Sequence, residues 1–111
     1  MTNDRELLEL TAKAAGYEYA KFGGYIVIDG IPGNWNPLTD DGDALRLAVK
    51  LKIHHRQYSN QVQIRGCWCR DGYIEASCKD IEEREPVGND PYAATRRAIV
   101  RAAAEIGKEM K

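Results

Sequence analysis

At 111 residues, with 43% hydrophobic and 30% charged side chains, the chain has the balance of a soluble folded protein. It predicts one domain over 1–111 whose single core buries roughly two-thirds of the unfolded surface, and excludes a disordered segment. Sixteen basic against seventeen acidic residues give a net charge of −1, so no global field draws the protein to nucleic acid or to an anionic membrane. No apolar run approaches the roughly 18 residues of a membrane helix, no secretory segment is expected, and three cysteines without framework spacing fit a reducing, cytoplasmic compartment.

Asn3 followed by Glu6 has the layout of a capping box, and Gly16 is placed to close the helix, which predicts a helix over 4–15 burying Leu7, Leu8, Thr11, Ala14 and Ala15. Segments 17–22 and 25–29 flank Gly23-Gly24, a pair suited to a two-residue hairpin turn that sets Phe22 opposite Tyr25 and Ala20 opposite Val27. Both faces of this ribbon are apolar, which predicts helical cover on both sides. A loop at 30–33 leads to an extended arm held by Pro37, then to a helix capped by Asp40 and running to Lys52, with Ala44, Leu45, Leu47, Ala48 and Leu51 as its apolar stripe.

Residues 53–60 show no clear period and are expected to be irregular. Segments 61–69 and 73–79 alternate as one-sided strands. A three-residue loop at 70–72, with Gly72 in the left-handed region, pairs Cys69 with Tyr73 and aligns Ile64, Trp68, Ile74, Ala76 and Cys78 on one face. Acidic 80–89, with Pro86 and Gly88, reads as an exposed connection. Asp90 and Pro91 begin a last helix that Gly107 is expected to close, with Ile99, Ala102, Ala103 and Ile106 buried and Arg96, Arg97 and Arg101 outward. The predicted fold is α+β in the order α-β-β-α-β-β-α, an antiparallel sheet of about four strands with helices on both faces.

Two stretches, W-N-P-L-T-D-D-G-D-A-L-R-L-A-V at 35–49 and D-P-Y-A-A-T-R-R-A-I-V-R-A-A-A-E at 90–105, resemble the small phage and prophage proteins grouped as a phage α/β/α-sandwich domain. That resemblance implies a helix-sheet-helix sandwich and a setting inside a bacterial host, and it carries no catalytic residue.

The chemistry-bearing residues are few. Asp40, Asp41 and Asp43 around Gly42 look superficially like a calcium loop, but the glutamate such a loop needs about eleven residues on is Leu51, and negative charge at a helix start explains the cluster better. Cys67, Cys69 and Cys78 with His54 and His55 are the one zinc-type set. Strand neighbours two apart sit about 6.5 to 7 Å from each other and adjacent histidines diverge, so no metal and no cofactor is expected. Phosphate loops, nucleophile elbows and metalloprotease motifs are all missing.

What remains is a basic run, Lys50, Lys52, His54, His55 and Arg56, followed by Tyr58. Trp35 is added as a core plug or an exposed anchor, and Tyr73 as a sheet-face contact. The first expectation is a non-catalytic phage accessory module binding a host component through loops and one sheet face, with Trp35 and Tyr73 as its contacts, while Lys52, His54, His55, Arg56 and Tyr58 are the candidates for a bound ligand. A second is a small-ligand or nucleotide binder using 50–56, and a third a hydrolase or metal protein built on the histidines and cysteines.

Overall fold

The computed structural model describes residues 4–20, 25–28, 31–64, 66–69 and 72–110. Helix α1 (Asp4–Ala15) buries Leu7, Leu8, Thr11, Ala12 and Ala15, and it ends where Gly16 takes φ +78° and donates its N–H to the Lys13 carbonyl at 3.1 Å. Asn3, its expected cap, lies outside the described residues. Helix α2 (Asp41–Leu51) starts on Asp40, whose carboxylate accepts the Asp43 N–H at 3.0 Å, and stops at Lys52, a left-handed residue that returns its N–H to the last turn. Leu47 and Ala48 of its stripe are buried, but Leu45 is 58% exposed.

Helix α3 (Pro91–Glu109) is capped by Asp90, which accepts the N–H groups of Tyr92 and Ala93. It does not stop at Gly107. The helix continues through that glycine, because Gly107 lies against α1: a Cβ built there would fall 2.1 Å from the Leu10 carbonyl oxygen. Thr11 donates its hydroxyl to the Val100 carbonyl at 3.2 Å in the same buried seam. Val100, Ala102, Ala103 and Ala104 are all buried, so α3 is apolar around most of its girth, as a central helix must be.

Among the described residues there are eight strands in three antiparallel sheets. The first, in the order β1-β2-β3, joins β1 (Glu18–Ala20), β2 (Tyr25–Ile28) and β3 (Ile31–Asn34). The expected loop at 30–33 thus contributes a strand, and Pro32 is tolerated because β3 is an edge. The register sets Ala20 opposite Tyr25 and Tyr19 opposite Ile26, two residues away from the pairing expected of a Gly23-Gly24 turn. A slip of two leaves the faces unchanged. The glycine turn itself, with Phe22, lies outside the described residues.

A second sheet, in the order β4-β7-β8, joins β4 (His54–Tyr58), β7 (Tyr73–Cys78) and β8 (Ile81–Pro86). Both outer strands fell in segments expected to be irregular. β4 has no sequence period because four of its five residues are exposed whichever face they occupy. The glutamates of β8 divide by parity: Glu83 and Glu85 turn toward Arg101 of α3, while Glu82 and Arg84 face outward. The run 61–69 does not pair with 73–79. It folds on itself at Gly66 (φ +80°) into a hairpin of β5 (Val62–Ile64) and β6 (Cys67–Cys69), leaving Trp68 56% exposed.

The fold is mixed α+β, but its layers differ from the expected single sheet with helices outside. Ile74, Ala76, Cys78 and Ile81 of the second sheet join α3 in the main core. Ile26 of the first sheet packs with Trp35, Leu8 and Ala12 against α1. The helices therefore lie between two small sheets, because the α1–α3 seam occupies one side of each helix. No helix among the described residues is long and apolar enough to cross a membrane.

Helix propensity alone makes Gly107→Ala stabilising by about 1 kcal/mol. The contact with Leu10 reverses the sign, and we expect a net loss of about 1–3 kcal/mol, read as a lower urea midpoint at unchanged slope.

Candidate functional site

Only one face of the β4-β7-β8 sheet is covered by α3. Pairing of β7 with both neighbours lays three cross-strand rows on the other face: His54, Ser77 and Glu82; Arg56, Glu75 and Arg84; Tyr58, Tyr73 and Pro86. The Tyr58 and Tyr73 rings stack with centroids 4.9 Å apart and planes 15° from parallel. Hairpin β5-β6 closes over this end, bringing Ile64, Cys69 and Val62 onto the tyrosines. Beyond them the face is open, with a shallow cavity of about 520 Å³ lined by Ile53, His54, His55, Arg56, Glu75 and Ser77.

Arg84 organises the charge. Its guanidinium reaches Glu82 at 2.7 Å and Glu75 at 3.3 Å and lies 5.4 Å from the centre of the Tyr73 ring. Partial burial and then the hydrogen bond that the Glu75 carboxyl donates to Glu82 push Glu75 up, with Arg84 opposing. Glu82 moves the other way, held down by the hydrogen bond with Glu75 and then by Arg84. Arg56 donates to the Tyr58 hydroxyl at 3.4 Å and forms no ion pair among the described residues.

Four of the residues expected to bind, His54, Arg56, Tyr58 and Tyr73, come together on this face. His55 points to the opposite side, because neighbours on a strand alternate, and reaches the groove between α2 and α3. Lys52 sits at the left-handed end of α2, beside His54 and Cys78 in a separate depression. Trp35 is a core plug: it is 6% exposed and meets Tyr17 and Tyr19 edge-on at 6.0 and 6.3 Å.

Glu75, Ser77, Glu82 and Arg84 were missed from sequence. Residues 82–85, Glu-Glu-Arg-Glu, are all charged, so the inward and outward positions of that strand read alike in the sequence.

Other candidates are engaged elsewhere. The arginines expected to face outward on α3 are tied down: Arg96 to Asp41 and the Leu38 carbonyl, Arg97 to Asp4, and Arg101 to Glu83 and Glu85. Asp43 accepts the Asn36 N–H and pairs with Arg46. Cys69 is buried, Cys78 lies 3.5 Å from the Leu51 carbonyl, and the Cys67 side chain is outside the described residues. No group of three or more described His, Cys, Asp or Glu side chains is disposed to hold a metal ion. His54 and Ser77 are cross-strand neighbours, and no side-chain hydrogen bond joins them.

The carboxyl pair gives a pH signature. Because Glu75 holds its proton more tightly folded than unfolded, its contribution to stability is present below the ordinary carboxylate value and is lost as pH rises through its raised value. Glu82, depressed, contributes above that ordinary value and loses its contribution as pH falls. An NMR titration of the side-chain carboxyls should show Glu75 protonated to higher pH than Glu82, and Arg84→Ala should raise both. Compared with protein-family models, curated proteins and solved structures, the chain matches none.

Proposed function

We propose that this protein is a binding module without a catalytic centre, and that its working surface is the uncovered face of the β4-β7-β8 sheet. The observation that carries the reading is the convergence, on the open part of one helix-free face, of Arg56 and His54 with the Glu75–Arg84–Glu82 network, beside the Tyr58–Tyr73 stack that the β5-β6 hairpin covers. Fixed charges of both signs around an exposed arginine suit recognition of a polar partner surface, where arginine is among the residues that contribute most of the binding energy. The resemblance to phage and prophage proteins supports a partner belonging to a bacterial host, met in the cytoplasm.

A nucleotide or other small anion is the second reading, favoured by the cavity beside Arg56 and His54. Glu75 in the same cavity weighs against it, since a carboxylate repels phosphate.

The test is retention from bacterial lysate on the immobilised protein, compared by quantitative mass spectrometry. Arg56→Glu and Arg84→Glu should each release a component that Lys13→Glu, on α1, retains. Equal retention by all three variants overturns the reading. A small ultraviolet-absorbing molecule released on heating the native protein, and absent from Arg56→Ala, would select the anion reading instead.

A further inference from the structure

We infer that the free edge of β4 is a strand-addition site for an extended partner segment in which apolar and acidic residues alternate. This names the partner of the binding face and rests on that reading. Among the described residues β4 pairs with β7 alone, so the five residues His54–Tyr58 present an unpaired line of backbone donors and acceptors. An incoming strand completes that line, and its side chains alternate between two different surfaces.

On one side the new strand meets the groove between α2 and α3, about 260 Å³, lined among others by Ala44, Leu45, His55, Tyr92 and Ile99. Leu45 is 58% and Tyr92 70% exposed, two of the five large apolar side chains left to water among the described residues. A position facing this groove is filled by an apolar side chain, which covers both. On the other side the strand meets His54 and Arg56. Glu75, the cross-strand neighbour of Arg56, is already engaged by Arg84, so Arg56 is the cation left to receive a carboxylate. Charge and apolar surface thus demand opposite parities of one strand.

A second copy of this chain fits poorly. β4 carries no carboxylate, so no register of two β4 strands makes an ion pair, and the central antiparallel one sets Arg56 against Arg56. The same basic, unpatterned edge guards against self-association.

The probe is a fluorescein-labelled synthetic heptapeptide of alternating glutamate and valine, with a lysine-for-glutamate counterpart, titrated into the full chain by anisotropy. The glutamate peptide should bind about tenfold or more tightly than the lysine peptide, and Arg56→Glu should invert that preference. Leu45→Asp, at an exposed position that leaves the core intact, should weaken the glutamate peptide by a similar factor. Amide hydrogen exchange should slow at 54–58 when the glutamate peptide is bound.

Equal affinity for the two peptides, no binding of either, or protection elsewhere than 54–58 overturns the inference. So does a dimer with 54–58 protected in the absence of peptide. If lysate retention still depends on Arg56 while the peptide fails, strand addition falls and the binding face stands. If retention ignores Arg56, the binding face falls too.

Discussion

The closeness of α1 to α3 is the constraint from which the remaining architecture follows. At Gly107 there is room for a hydrogen but not for a methyl group beside the Leu10 carbonyl, and Thr11 satisfies its buried hydroxyl on Val100 within the same seam. Small side chains let two helices approach until backbone meets side chain, and interiors at that density tolerate little change in volume. With one side of each helix committed to the other, the remaining sides take one sheet apiece. The ribbon around Ile26 settles on Leu8 and Ala12 of α1, and the sheet containing Ile74 and Ala76 settles on α3.

A sheet covered on one side must present the other to water, and the β4-β7-β8 face is built for that. Its cross-strand neighbours carry opposite charges at Glu75 and Arg84, an arrangement that stabilises an antiparallel pair. Where the face becomes aromatic, at Tyr58 and Tyr73, the β5-β6 hairpin folds over it and supplies a small apolar cluster of its own. Gly72 fixes that corner: at φ +94° it lies so near the Tyr58 carbonyl that a Cβ would come within 2.0 Å of the oxygen. The loop expected to join two adjacent strands instead delivers β7 into the centre of a three-stranded sheet.

The inner side of this sheet uses charge differently. Glu85 is 5% exposed, and it is accommodated because Arg101 of α3 reaches both it and Glu83, at 3.1 and 3.6 Å. A half-buried pair of this kind stabilises only while both partners remain, since either charge alone would be left poorly solvated. It also fixes the rotation of α3 over β8. That orientation carries Tyr92 and Ile99 to the rim of β4, where the groove opens.

Local chemistry alone determined the helices: caps at Asp40 and Asp90, the proline after Asp90, the glycine stop after α1 and the apolar spacing within each, all signals that act within a turn or two. The convergence of His54, Arg56, Tyr58 and Tyr73 was half legible, since the residue types stood out while the face they share did not. Tertiary structure decided the rest. Trp35 became core because Tyr17 and Tyr19 close on it, and Gly107 became a contact because α1 lies beside it. Segments 54–58 and 81–86 became strands because β7 offers hydrogen-bonding partners on both edges. An edge strand exposed on both faces has no buried side to impose a period on its sequence, so its identity resides in the neighbour it pairs with.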